Sequence, residues 1–193
     1  MSRGMRSMFV LCAAVAVLSV IGFGQEAKME MPRGLRGSYM KQAMAAEREM
    51  VSLADAMPQE TYAWRPMEGV RSVAEAFLHP AAGNYLVLKT MGGALPEGVD
   101  PMKLETSTSD KKQIIDEIHK SYKAINMYIA GLKEADFDRH VTFFGQDMTV
   151  GDMIVGAVAH QHELLGQEIA YARMNKVVPP WTAERMKAKK DKM

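Results

Sequence analysis

The feature that most constrains the fold is a set of four apolar stripes with helical spacing. The third stripe consists of Ile114, Ile118, Tyr122, Ile125, Ile129 and Leu132, which recur every three or four residues. This spacing aligns the apolar side chains along one face of an α-helix and disfavours a strand, in which alternate residues share a face. A helix with such a stripe must bury it against other elements, so the pattern predicts helices packed around a common core.

End signals divide the chain into four predicted helices. Pro58 ends the first, Ser72 with Glu75 forms a capping box at the start of the second, and two glycines follow the second. Pro80 lies within the second helix and is expected to kink it or to remove one backbone hydrogen bond. The predicted helices cover residues 38–57, 72–91, 109–132 and 149–175.

The connections between these helices favour a particular bundle topology. The stretch "ALPEGVDPMKLETSTS" between helices two and three is long enough to cross from one end of a bundle to the other. The stretch "DFDRHVTFFGQDM" before helix four indicates irregular structure with a short extended pair. The sequence therefore predicts an all-α fold, a four-helix bundle with a long crossover connection between helices two and three.

The N-terminus has the pattern of a secretory signal peptide. Arg3 and Arg6 precede an apolar run from Met8 to Ile21, and small residues follow up to Gly24, where cleavage is predicted. The run is shorter than the roughly 20 residues of a membrane-spanning helix, although an uncleaved anchor remains the alternative. The predicted organisation is a signal peptide (1–24), a flexible leader (25–37), the bundle (38–182) and a basic tail (183–193).

Cleavage near Gly24 implies a periplasmic or secreted protein. The mature chain would have 22 Lys and Arg residues against 23 Asp and Glu, a net charge of −1 that gives no argument for nucleic-acid binding. It would make no stable membrane insertion once the signal is removed. Cys12, the single cysteine, would be lost with the signal, which leaves no disulfide and no thiol nucleophile.

Three side chains are candidate metal ligands: His79, His160 and Glu163. His79 lies at the edge of the apolar face of helix two, and Glu163 lies about 60° from His160 around helix four. Two histidines and one carboxylate suit zinc, nickel, iron or manganese. The alternative is that each histidine is partly buried and hydrogen-bonded to a neighbour. His119 and His140 are expected to be solvated.

Two blocks of sequence carry a resemblance to a known family. One is the Trp-Arg-Pro turn at Trp64, followed by S-V-x-E-x-x-x-H ending at His79. The other is H-x-x-x-x-x-G-Q-x-x-x-Y-x-R-x-N-x-x-x-P-P-W, from His160 to Trp181. Together they resemble the DinB-like family of four-helix-bundle proteins over residues 37–182. Many members depend on a divalent metal, and some are thiol transferases.

The resemblance also implies a site from which this sequence departs. In the family, one histidine on helix two and two on helix four hold the metal. The first two positions fall on His79 and His160, but the third falls on Leu164, which cannot ligate. The metal site would therefore be degenerate: it would keep two of the three family histidines, and Glu163 or a water molecule would complete the coordination shell.

Two classes of function remain open from the sequence. The first is a metal-dependent hydrolase or thiol transferase that acts on a small-molecule or thiol substrate. The second is a metal-free bundle that binds a ligand or has a structural role, with a homodimer through an exposed face as one form. The 18 methionines also suggest copper handling, although most of those with helical spacing fit core positions.

Overall fold

The computed structural model describes residues 33–192 of the chain. The predicted signal peptide and residues 25–32 of the predicted leader lie outside the described residues. The described helices are α1 (Gly34–Ala56), α2 (Val73–Thr90), α3 (Lys111–Gly131), α4 (Val150–Met174) and α5 (Pro180–Lys190). Helices α1 to α4 form the predicted four-helix bundle, and the predicted all-α fold class is confirmed.

Contacts near the helix ends fix the directions of the helices. Arg36, near the start of α1, donates from Nη1 to the carbonyl of Leu132 just after α3, at 2.5 Å. Helices α1 and α3 are therefore antiparallel. Tyr128, near the end of α3, donates to the carbonyl of Met91 just after α2, so α2 and α3 are parallel neighbours. Parallel neighbours require the long crossover connection that the sequence predicts.

The apolar stripes form one core. All six residues of the third predicted stripe are buried, five on α3 and Leu132 just after it, and Ile114 and Ile118 have no exposed surface. Burial of an aliphatic side chain of this size stabilises the fold by about 1.5–3 kcal/mol. In the first predicted helix, the three- and four-residue spacing of apolar residues that includes Met40, Met44 and Met50 predicts that Met44 faces the core, but Met44 is 49% exposed. The smaller Ala43 and Ala46 occupy the inward positions beside it.

Helix α2 begins at the predicted capping box and continues through its proline. Ser72 Oγ accepts from the backbone N–H of Glu75, whose carboxylate accepts from the N–H of Ser72 at 2.7 Å. Pro80 is buried and lies inside the continuous helix. Its ring nitrogen cannot donate to the carbonyl of Ala76, so one backbone hydrogen bond is missing, as predicted.

The two sequence blocks that carry the family resemblance meet at one end of the bundle. The indole of Trp64 packs edge-to-face on the ring of Tyr171 in α4, with centroids 5.6 Å apart. The hydroxyl of Tyr171 donates to the carbonyl of Arg71, immediately before α2. This packing joins the start of α2 to the end of α4.

A short hairpin precedes α4, which confirms the predicted extended pair. Strands β1 (His140–Phe143) and β2 (Gln146–Thr149) are antiparallel, with Phe143 opposite Gln146. The two turn residues, Phe144 and Gly145, have φ values of 49° and 78°. Turns of this kind favour Asn-Gly, because a side chain such as that of Phe in the left-handed region costs about 1–2 kcal/mol.

The C-terminal region differs from the prediction at one point. Residues 183–190, predicted as part of a basic tail, belong to α5, which begins after Pro179. No residue of α5 is buried. At the other end, α1 begins at Gly34 rather than near Ser38, so the last four residues of the predicted leader are helical. Within residues 33–192, no helix combines the length and apolar character needed to cross a membrane.

Glu168 on α4 is a buried acid in this core. It is 1% exposed, and neither carboxyl oxygen has a hydrogen-bond partner among the described residues. Burial raises the pKa of Glu168 well above its ordinary value, because an ionised carboxylate is poorly solvated there. The folded protein therefore binds a proton at Glu168 more tightly than the unfolded chain does.

Replacement of Glu168 by glutamine should change how stability depends on pH. The free energy of unfolding of the parent should fall as pH rises from the unfolded-state pKa of about 4.3 to the raised folded-state pKa. Glu168→Gln removes this loss, so its stability relative to the parent should increase with pH, by at most about 1.4 kcal/mol per pH unit. Urea unfolding at several pH values measures the difference.

Glu184→Gln is the matched control, because Glu184 is exposed on α5. Its stability relative to the parent should change little with pH. If Glu168→Gln and Glu184→Gln follow the same pH dependence, the pKa of Glu168 in the folded protein is ordinary.

Candidate functional site

The bundle brings His79 of α2 and His160 of α4 together. Their rings meet edge-to-face, with centroids 5.3 Å apart. The side chain of His79 is 20% exposed and that of His160 is 46% exposed. A Cβ atom added at Gly83 would lie 4.0 Å from Cδ2 of His160, in ordinary contact. The His160 ring therefore lies beside the backbone of α2 at Gly83.

His79 has a carboxylate partner that sequence reasoning missed. Its Nδ1 lies 2.5 Å from Oε1 of Glu105, on the short 3-10 turn Leu104–Thr106 of the crossover connection. The guanidinium of Arg71 donates to the same carboxylate, with Nε 2.7 Å from Oε2. No sequence motif identifies Glu105 as a functional residue. The available signal is that Glu105 belongs to the crossover connection, which must run alongside α2 to reach the start of α3.

The protonation states of His79 and Glu105 follow from burial and hydrogen bonding. Burial lowers the pKa of His79, and the Glu105 carboxylate only partly offsets that effect. Burial alone would raise the pKa of Glu105, but hydrogen bonds from Arg71 and His79 outweigh it and lower that pKa. At pH 7 a neutral His79 thus donates Nδ1–H to an ionised Glu105. Its Nε2 keeps a lone pair.

The other residues of interest on α4 lie farther from this group. Glu163 is 78% exposed, and among residues 33–192 its carboxylate contacts Nδ1 of His160, at 3.4 Å. Leu164, at the third ligand position implied by the resemblance, is buried in the core. His162 is exposed. Among residues 33–192, no three His, Cys, Asp or Glu side chains are grouped closely enough to hold a metal ion.

A chain of buried amides and a hydroxyl crosses the bundle next to His160. Gln161 donates from Nε2 to Oδ1 of Asn84 on α2, at 2.9 Å. Asn84 donates to the hydroxyl of Ser121 on α3, which donates to the carbonyl of Ile118. Buried amides are costly to leave without partners, so this chain holds α4 in register with α2 and positions His160.

A cavity of about 740 Å³ opens beside the two histidines. Its inner wall includes His79, Asn84, His160 and Gln161, and the crossover connection contributes Met102 and Glu105. Its outer wall is the hairpin, including Phe143 and Phe144. The volume is within the range of small-molecule sites, and apolar walls with a few convergent polar groups are typical of them.

The remaining two histidines form carboxylate pairs on the exposed surface. His119 is 54% exposed and lies 2.8 Å from the carboxylate of Glu47. His140 is 65% exposed and lies 2.7 Å from the carboxylate of Asp147 across the hairpin. Both are exposed to solvent, as the sequence predicts, and the contact of Glu47 with His119 lies on the surface of the bundle.

Comparison with known proteins identifies the family of this chain and structures with a similar fold. The sequence model of the DinB superfamily matches residues 42–167, which include both His79 and His160. No curated protein is significantly similar to the chain in sequence.

Crystal structures of DinB-like proteins have a similar fold. One from Bacillus cereus aligns with a TM-score of 0.65 at 15% identity, covering 74% of this chain and 93% of that protein. One from Bacillus subtilis aligns with a TM-score of 0.58 at 18% identity, covering 72% and 92%. At such low identity these structures support the fold alone. The family match over residues 42–167 establishes that the chain belongs to the DinB superfamily.

Proposed function

We propose that the cavity beside His79 and His160 is a small-molecule site, and that these two imidazoles bind a divalent metal weakly at its inner wall. The observation that carries the proposal is the edge-to-face approach of the two rings at 5.3 Å in an open cavity. Two imidazoles on neighbouring helices suit zinc, nickel, iron or manganese.

The contact between His79 and Glu105 supports this assignment. A histidine that ligates a metal through one nitrogen usually donates its other N–H to a carboxylate, which fixes the tautomer and makes the ligating nitrogen more basic. Glu105 occupies this outer position, with Nδ1 of His79 at 2.5 Å. Arg71 in turn orients Glu105.

The donor set fits a two-imidazole site but not a three-histidine centre. Catalytic zinc sites normally retain three protein ligands, and Leu164 leaves that number at two. Glu163 would have to leave solvent to become the third ligand, since its side chain is 78% exposed. We therefore expect weak affinity, with water or ligand atoms completing the coordination shell.

A metal bound here would supply Lewis-acid polarisation or an activated water. The residues of the chain would hold and orient the reacting group: Glu105 keeps His79 in one tautomer, and the hairpin and Met102 line the cavity beside it. A hydrolase or a thiol transferase would suit this arrangement. In the second case the thiol must come with a substrate, because Cys12 is the only cysteine.

A second candidate is a metal-free binding protein that uses the same cavity. Leu164 favours it, because a buried leucine replaces a donor where the resemblance implies a ligand. In that case His79 and His160 would provide hydrogen bonds to a ligand. The two candidates differ in whether the histidines bind a metal at all.

Metal titration of matched variants separates the two candidates. We expect His79→Ala and His160→Ala each to abolish measurable binding of Zn²⁺ by the full chain, because one imidazole cannot hold the ion alone. Glu105→Gln should weaken binding about tenfold, since it weakens the acceptor that orients His79. Isothermal titration calorimetry with Zn²⁺, repeated with Ni²⁺, measures the affinities.

His162→Ala is the control, because His162 lies on the same helix but is exposed and outside the cavity lining. Its affinity for Zn²⁺ should equal that of the parent. Equal loss in His162→Ala and His160→Ala would mean adventitious surface binding. No binding by a folded parent would favour the metal-free candidate.

Restoration of the third histidine provides a gain-of-function prediction. Position 164 lies one helical turn beyond His160 and about 40° around α4, the spacing at which two histidines share a metal. We expect Leu164→His to tighten Zn²⁺ binding at least tenfold. Val155→His adds a histidine at an exposed position of the same helix and should change affinity little. The same affinity in both variants and the parent would contradict the proposed site.

We also propose that the protein is exported and cleaved near Gly24. The support is the two arginines, the short apolar run and the small residues of the N-terminus. Intact-mass measurement of protein recovered from a secreting bacterial host should give a chain that begins at Gln25. A mature protein that still begins at Met1 would indicate an uncleaved anchor instead.

A further inference from the structure

The inner face of the hairpin forms an apolar wall of the cavity. Residues two apart on a strand share a face, and so do residues paired across an antiparallel hairpin. Phe143 therefore shares a face with Val141, and Met148, the partner of Val141, lies on that face too. Phe143 and Met148 are partly buried against the bundle core, and both line the cavity.

The helices on the opposite side of the cavity also present apolar side chains. Helix α2 contributes Leu86 and Val87, and α4 contributes Met153 and Ala157. Three of these four belong to the buried core, so their positions are fixed by packing; they are Val87, Met153 and Ala157. Apolar side chains therefore border the cavity from α2, α4 and the hairpin.

Two exposed apolar side chains form the rim of the cavity. Met102 on the crossover connection is 76% exposed and Phe144 at the hairpin tip is 78% exposed, and both line the cavity. Phe144 has a φ of 49°, which favours asparagine or glycine, and its exposure gives no compensating burial. A strained, exposed aromatic side chain at a cavity mouth is well placed to contact the apolar part of a ligand.

The carboxylates at the edge of the cavity already have partners. Glu105 accepts from the guanidinium and the imidazole described above. Asp147 projects from the outer face of the hairpin, where it pairs with His140 at 2.7 Å. Asp152 accepts from the backbone N–H and the hydroxyl of Thr149 at the start of α4. None of the described lining residues is lysine or arginine, so the lining offers neither a free carboxylate nor a cationic side chain of that kind to a charged ligand.

We propose that the cavity binds an uncharged ligand with an aliphatic or aromatic body. The inference rests on the proposed small-molecule site and names the class of its ligand. Burial of an apolar body against these walls is favourable, whereas a charged ligand would lose its hydration without gaining a counter-charge. An uncharged polar head group would hydrogen-bond to the imidazoles at the inner wall.

A matched series of probes tests the predicted preference for an uncharged ligand. Phenylbutanol, phenylbutylamine and phenylbutyrate have the same apolar body and differ in the charge of the head group. Calorimetric titration of the full chain is performed in excess EDTA at pH 8, where an imidazole of ordinary pKa is neutral. Phenylbutanol should bind most tightly, and both ions at least tenfold more weakly. Equal affinities, tighter binding of either ion, or no binding of phenylbutanol would overturn the proposal.

A second series tests burial of the apolar body. From phenylethanol through phenylpropanol to phenylbutanol, each added methylene should tighten binding about threefold, because each adds apolar surface that leaves water. The same affinity for all three alcohols would mean that the body stays in solvent, and would overturn the proposal.

The presence of EDTA makes failure of this inference distinguishable from failure of the metal site. Phenylbutanol binding by a chain that does not bind Zn²⁺ would support the ligand class and contradict only the metal assignment. Binding of Zn²⁺ by a chain that does not bind phenylbutanol would support the metal assignment and overturn the ligand class.

Leu86→Gln tests the wall formed by α2. Leu86 is only partly buried, so glutamine is tolerated by the helix but replaces apolar surface in the cavity. The variant should bind phenylbutanol at least fivefold more weakly than the parent. Leu35→Gln changes a 40% exposed leucine of α1, outside the cavity lining, and should leave the affinity unchanged. Unchanged affinity in a folded Leu86→Gln variant would overturn the assignment to this cavity.

Phe144→Asn should move stability and binding in opposite directions. Asparagine suits the turn, so the midpoint of thermal unfolding should rise by about 2–4 °C. Loss of the ring should weaken phenylbutanol binding at least threefold. Met127→Asn removes an exposed apolar side chain of α3, outside the cavity lining, and should leave the affinity unchanged. Unchanged affinity in a folded Phe144→Asn variant would overturn the role of the rim.

Discussion

The contact between α2 and α4 is the constraint on which the site depends. A hydrogen bond of 2.9 Å joins Gln161 to Asn84 in the core, where either amide would be costly to leave without a partner. The bond fixes the rotation of α4 against α2, and His160 immediately precedes Gln161 on α4. The His160 ring lies beside Gly83 of α2. The approach of His160 to His79 is therefore a consequence of core packing, so the pair exists without a bound ligand.

The crossover connection supplies two residues of the site, Glu105 and Met102, that do not lie on α2 or α4. Because α2 and α3 are parallel, the chain must return along the bundle between them, and this return brings Glu105 against His79 and Met102 over the cavity. The hairpin before α4 covers the opposite wall. The bundle thus provides a fixed pair of imidazoles, and the two irregular connections provide the orienting carboxylate and the aromatic mouth. This division agrees with the general location of binding residues on connections held by a rigid scaffold.

Helical periodicity was sufficient to predict the bundle and its topology, because buried stripes such as Ile114 to Ile129 and the capping box at Ser72 are local patterns with direct structural meaning. It also identified His79 and His160, which the fold brings together. Glu105 was not predictable, since it belongs to a connection without periodicity and its partner lies 26 residues away. For Glu163, helical geometry gave the angle from His160 correctly, but it could not tell that this edge of α4 faces solvent.

Anomalous diffraction from crystals of the full chain soaked in Zn²⁺ would locate a metal bound between His79 and His160. We expect a peak bonded to Nε2 of His79 and to a ring nitrogen of His160, with Glu105 still hydrogen-bonded to Nδ1 of His79. A peak confined to the surface pairs of His119 with Glu47 or His140 with Asp147, or none at the His79 and His160 pair, would contradict this expectation. In that case the cavity would belong to a binding protein without a metal.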